Sequence, residues 1–226
     1  MALPPPIEPD PQPRSDAALR AQILATEHWS LLASRTTTQN EVLTRIAIFL
    51  TLVSATLVSV ALVGQATGFG PRFPVFAIAL LAVVIIVGFL TQLRVVNVSM
   101  EDLGYVVAMN RLRAAYERLA PGIGSDFMTS THDDQAGVFQ TYYFLGPRRN
   151  GSQILASSMV FIIAVNGALV GLLIGAIVLA STDLVWLCVL VGIVAALVYV
   201  ASGMFLGSRS FFRFWRDHVP RNPSAT

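Results

Sequence analysis

Four apolar runs, near Ile46 to Thr67, Pro74 to Leu93, Leu155 to Ala180 and Leu184 to Leu206, constrain this chain more than anything else in it. Each approaches or exceeds the roughly 20 residues that a helix needs to cross a hydrocarbon layer about 30 Å thick. With 54% hydrophobic and 12% charged residues and a mean hydropathy of +0.66, the chain is too apolar for an ordinary water-soluble domain. The runs fall in two pairs around a polar middle, Arg94 to Gly151. The expectation is an all-α, four-helix transmembrane protein, two membrane hairpins with a helical cytoplasmic module between them.

Composition shifts divide the 226 residues further. Residues 1–14 read as a disordered Pro-rich tail, 15–40 as a cytoplasmic or interfacial amphipathic helix and 41–93 as the first hairpin. Residues 94–151 form the module, 152–207 the second hairpin and 208–226 a basic-aromatic cytoplasmic tail. The opening MALPPPIEPDPQP lacks the basic start and apolar run of a secretory signal. Ser15 and Asp16 offer an N-cap for a helix over Ala17 to Ser34, and Thr36 to Asn40 is the expected break after it. Gly68, Gly70 and Pro71 make a tight turn, and Pro74 suits the first turn of the second span. Ser181, Thr182 and Asp183 join the last two spans and supply a cap for the fourth.

Small residues at helical spacing let helices approach closely. Ala47, Thr51, Ala55 and Ser59 form one such stripe, Gly167, Gly171 and Gly175 a second, and Gly203 with Gly207 a third. Spacing alone leaves open whether the partner helix belongs to the same chain or to another copy. Within the spans the polar side chains that stand out are Asn166, Tyr199 and several Ser and Thr. An unpaired amide at mid-span costs several kcal/mol, so Asn166 is expected either to bridge helices or to line a pore.

All fifteen basic residues are Arg, in an Ala-, Gly-, Pro- and Val-rich background of high-GC bacterial type. Fourteen of them fall in the segments before the first span, between the hairpins and after the fourth span, against Arg72 alone in the short turns. The positive-inside rule then places both termini and the module in the cytoplasm, and the chain in a bacterial cytoplasmic (inner) membrane. In the tail SRSFFRFWRDHVPR, Arg213, Trp215 and Arg216 suit the headgroup layer, as do Arg148 and Arg149 before the third span. Membrane lipids are the expected partners, with a second copy or another membrane protein. The dispersed basic residues argue against nucleic acid.

From Arg94 the second span is expected to continue as a helix to Pro121. Val98, Tyr105, Met109, Leu112, Tyr116 and Leu119 form an apolar seam along it that can pack on Ala17 to Ser34 or on another copy. Beyond it, His132, Asp133 and Asp134 are the one cluster with ligand chemistry, a weak candidate for a divalent metal. Thr131 followed by Asp134 also resembles a capping box for a helix over Gln135 to Leu145.

No nucleotide-binding loop, dinucleotide fingerprint, HExxH or GxSxG is present, and His28, His132 and His218 fall in three different segments. Neither a catalytic residue nor a cofactor is expected. The single cysteine, Cys188, reads as a small packing residue. The stretches LATEHWSLLASRTTTQNEVLTRIAIFLTLVSATLV and MNRLRAAYERLAPGI, with the downstream THDD, resemble a family of bacterial four-span integral membrane proteins over most of residues 20 to 150. A lesser likeness is to the SLATT two-span effectors, from whose pattern the second hairpin departs. The first resemblance implies membrane residence and a helical module. The leading expectation is a non-enzymatic scaffold or interaction protein, and the alternative is a homo-oligomeric channel or pore-forming effector.

Overall fold

The computed structural model describes residues 12–146, 151, 157–182 and 184–225, with side chains from residue 16 onward. Among these residues the chain is all-helical and contains no strand. The helices are α1 (Gln12–Thr67), α2 (Phe73–Leu119), α3 (Gln135–Tyr142), α4 (Ser158–Thr182) and α5 (Val185–Asp217), with a 3-10 turn over Ile123–Asp126. Four of them, α1, α2, α4 and α5, are long and apolar enough to cross a membrane. The Pro-rich first eleven residues, Arg148, Arg149 and Asp183 lie outside the described residues.

The break expected over Thr36 to Asn40 is absent, because α1 runs unbroken for 56 residues. Threonine costs a helix only a few tenths of a kcal/mol, and the Thr36 and Thr44 hydroxyls bond back to the carbonyls of Leu32 and Asn40, both at 2.9 Å. The helix also begins at Gln12, ahead of the expected Ser15 and Asp16 cap. At its other end Gly68 and Phe69 take positive φ, 58° and 54°. Glycine does so freely, whereas Phe69 is held there by its N–H bond to Gly64 O at 2.8 Å and by edge-on packing on Phe73. Helix α2 continues through Arg94 and Gly104 to Leu119, as expected from the lack of proline.

The chain divides into two compact units. One gathers Met1–Thr36, Leu103–Gly146 and Val219–Thr226, and the other Thr37–Asp102 and Pro147–His218.

The second unit holds the apolar core, centred on Phe49, Leu81, Val84, Ile162, Ile163 and Leu169. The face of α1 turned to it is Val42, Ile46 and Phe49 rather than the small-residue stripe. Ala47, Thr51 and Ala55 are exposed and Ser59 is half-buried. The Thr51 and Ser59 hydroxyls bond their own helix, at Ala47 O and Ala55 O. The close-packed pair is α4 with α5. A β-carbon on Gly171 would stand 2.7 Å from Gly192 O, and one on Gly192 would stand 2.8 Å from Gly171 O. Gly175 lies over Cys188, Gly167 over Val200, Gly203 against Ile163 and Gly207 against Met159. The glycine stripes therefore meet within one chain. Gly192 belongs to this seam although its stripe, Cys188, Gly192 and Ala196, is only partly glycine. The N-cap of α5 is Leu184, whose side chain makes no cap bond; its N–H donates to the Thr182 hydroxyl at 3.5 Å, the Ser181 and Thr182 hydroxyls also donate to carbonyls at the end of α4, and Asp183 lies outside the described residues.

In the first unit the buried face of α2 is Leu103, Val106, Val107, Asn110 and Ala114. The expected seam is only partly this face. Of its residues Val98, which belongs to the second unit, and Met109 are buried, whereas Tyr105, Leu112, Tyr116 and Leu119 are half-buried. His28 of α1 stacks on Tyr116, centroids 6.1 Å apart, so that Ala17 to Ser34 does pack on this stretch of the same chain.

Candidate functional site

Two polar clusters stand out. In the second unit, Asn166 of α4 is fully buried and its Nδ2 donates to Gly88 O and to Gln92 Oε1 of α2, both at 2.9 Å. Gln92 Oε1 also accepts the Tyr199 hydroxyl of α5 at 3.0 Å. Three apolar helices are thus tied by one amide oxygen. Asn166 Oδ1 is buried with no hydrogen-bond partner among the described residues and lies over Gly88. A β-carbon on Gly88 would collide with it and with the Phe49 ring. Sequence reasoning finds Asn166 and Tyr199 but not Gln92. Its signal was a buried-sized amide one residue inside the end of the second run.

The same unit carries an ion-pair group. Arg94 donates to Glu101 at 2.7 Å and to Glu41 at 2.9 Å, and Glu41 also takes Arg45 at 2.9 Å. Gln39 donates to Asp102 at 2.7 Å. These pairs are exposed enough that each contributes little to stability. In α5, Arg213 and Arg216 are exposed, while the half-buried Trp215 packs edge-on against Phe211 and Phe214. Arg209 lies over the Phe205 ring at 5.2 Å, an arrangement favourable to a cation.

The cluster in the first unit is built on Thr131 to Asp134. Its N-cap differs from the expected one by three residues. Asp134 itself caps α3, its Oδ1 accepting Gly137 N at 2.8 Å, and the helix ends at Tyr142 rather than Leu145. Gly137 is required here, since a β-carbon would collide with the His132 carbonyl. Asn110, fully buried in the apolar face of α2, supports the loop from below. Its Nδ2 donates to His132 O at 2.7 Å, and its Oδ1 accepts from Arg113 at 2.7 Å and from the Thr141 hydroxyl at 3.0 Å. Asn110, like Gln92, is not among the residues that the sequence singles out. A polar side chain at the centre of the Val106, Val107, Asn110, Ala114 face was the available signal.

Both carboxylates of the loop are committed to the chain's own end. Asp133, fully buried, accepts Arg111 Nε at 2.6 Å and Arg221 N at 2.9 Å on Oδ2, and Asn222 N at 2.7 Å on Oδ1. Asp134 accepts Ser224 N at 2.8 Å and the Ser224 hydroxyl at 2.9 Å. In return Asp133 N donates to Asn222 O at 3.2 Å, and Asn222 Nδ2 donates to Thr131 O at 3.0 Å. His132 Nδ1 lies 3.3 Å from Asn222 O.

Burial alone would raise the Asp133 carboxyl. The N–H groups of Arg221 and Asn222, with the Arg111 guanidinium, outweigh it and hold the group below the usual carboxylate value. Asp134 is likewise held down, burial being outweighed by Gly137, Ser224 and His132.

These contacts bear on the weak metal candidacy of His132, Asp133 and Asp134. The three are adjacent, but the carboxylate oxygens point at N–H and O–H donors of the tail, and a metal needs those lone pairs. Among the described residues, no group of three or more His, Cys, Asp or Glu stands together so as to hold a metal ion.

No family model, curated protein or solved structure matches the chain.

Proposed function

We propose that the chain is a four-span protein of a bacterial inner membrane, with both termini and the 94–151 module in the cytoplasm, acting as a non-enzymatic scaffold or interaction protein. Its apolar exterior supports membrane residence. Only 6% of the most apolar window of α5 is buried, and Leu197, Val198, Leu62 and Ile86 each leave about 60% of their surface open. An apolar surface of that extent belongs in hydrocarbon. The Arg asymmetry supports the orientation, and exposed Arg213 and Arg216 beside Trp215 suit a headgroup layer.

The observation that carries the scaffold reading is that the chain's most chemically capable side chains are spent on its own architecture. Asn166, Gln92 and Tyr199 bond one another, and Arg111, Asp133 and Asp134 bond loop and tail. A pull-down from native membranes tests it, with a stoichiometric protein partner as the expected result. Phosphatase and fluorescent-protein fusions after Arg149 and after Asp183 test the topology, an active phosphatase at Arg149 being the outcome that overturns it.

A second reading, a homo-oligomeric channel, draws on the exposed Ala47, Thr51 and Ala55 side chains and on the unpartnered Asn166 Oδ1. Planar-bilayer recording separates the two. Reproducible conductance that Asn166→Leu reduces would replace the scaffold with the channel.

A further inference from the structure

We propose that Arg111 and the Thr131–Asp134 loop form a peptide-recognition site for an extended Arg-Asn-Pro-Ser segment, filled in cis by residues 221–224 and filled in trans by the tail of a second copy of this chain. The match runs residue by residue. Pro220 and Pro223 have no N–H, so Arg221, Asn222 and Ser224 carry every main-chain donor between Pro220 and Ser224. All three donate to a loop carboxylate, at 2.9, 2.7 and 2.8 Å. Two side chains are read as well, Asn222 at Thr131 O and Ser224 at Asp134 Oδ1.

Such a site favours refilling. Without a tail, Asp133 would keep Arg111 and lose its two main-chain N–H partners, those of Arg221 and Asn222. The segment is held by hydrogen bonds, and Val219 ahead of it is 79% exposed. Its prolines lower the entropy lost on docking. Helix α5 stops at Asp217, and His218 takes an extended conformation ahead of Val219 and Pro220. Since each copy carries both the site and its ligand, two copies can trade tails with every bond preserved, the arrangement of a domain swap.

The site is tested on purified protein, apart from the membrane pull-down that tests the scaffold reading. A labelled VPRNPSAT peptide is titrated by anisotropy into detergent-solubilised chain ending at His218. Where that chain does not fold, the full-length Asn222→Ala/Ser224→Ala variant takes its place. Saturable binding is expected, at least tenfold weaker for peptides carrying Asn222→Ala or Ser224→Ala. No binding to folded protein, or equal binding of the altered peptides, overturns the site. For the second copy, a tagged chain ending at His218 is co-expressed with full-length Asp133→Asn bearing another tag, so that the sole intact site and the sole intact tail lie on different copies. Co-purification that disappears when Asn222→Ala is added to the full-length copy is expected. Its absence, or its persistence in the added variant, overturns the trans occupant.

Discussion

Asn166 of α4 and Gln92 of α2 share a 2.9 Å hydrogen bond between two buried amides. Gly88 makes room for it, because any β-carbon there would enter the space of Asn166 Oδ1 and Phe49. Interhelical bonds in apolar surroundings are worth about 0.6 kcal/mol on average and up to about 1.7. A double-mutant cycle with Asn166→Leu and Gln92→Leu, read by unfolding in mixed micelles, is expected to give a coupling of about 1 kcal/mol. Zero coupling would mean that the two amides act independently.

Glycine substitutions should split by sign. Gly171→Ala and Gly192→Ala push a methyl against the facing backbone, with contacts at 2.7 and 2.8 Å, and are expected to destabilise by about 1–3 kcal/mol. Gly104→Ala sits inside α2 with nothing within 4 Å of the new methyl. There the lower chain entropy of alanine should stabilise by about 0.5–1 kcal/mol. Thermal unfolding of the three variants checks both signs.

The tail cradle should weaken in acid. The Asp133 and Asp134 carboxyls are held below their ordinary value of 3.8. Their contribution is therefore complete above that value and disappears as pH falls through the lower folded values. Hydrogen exchange at Arg221, Asn222 and Ser224 is expected to show protection at pH 6 in the parent chain and its loss in Asp133→Asn. Unchanged protection in the variant would assign the tail's order to something other than the carboxylate.

His28 gives a second pH dependence, nearer neutrality. Burial, then the charge of Arg113, lowers its value from the ordinary 6.5. The unfolded chain then takes up the proton first, so stability present above about pH 6.5 declines as pH falls through that value. The melting temperature should drop between pH 7.5 and 5.5, and His28→Phe, which keeps a ring on Tyr116, should flatten the drop. An equal drop in the variant would point to another group.

The amino-acid sequence alone carries the four long apolar helices, the tight turn at Gly68, the continuation of α2 past Arg94 and the presence of a small-residue seam. Each of these depends on local properties: run length, a left-handed glycine, the absence of proline, the identity of residues four apart. It misplaced the break in α1, because a weak local preference for non-helical threonine yields to a helix whose hydroxyls bond their own carbonyls.

Tertiary structure decided which seam closes and on what. Gly171 finds Gly192 in the same chain, while Ala47, Thr51 and Ala55 stay open. Spacing is identical in the two cases, and only the packing of the remaining side chains separates them. Tertiary structure also joined Asp133 to Asn222 and Gln92 to Asn166 and Tyr199. Those partners lie far apart along the chain. A hydrogen bond depends on distance in space, and nothing in the local pattern around THDD marks the chain's own end as the donor that satisfies it.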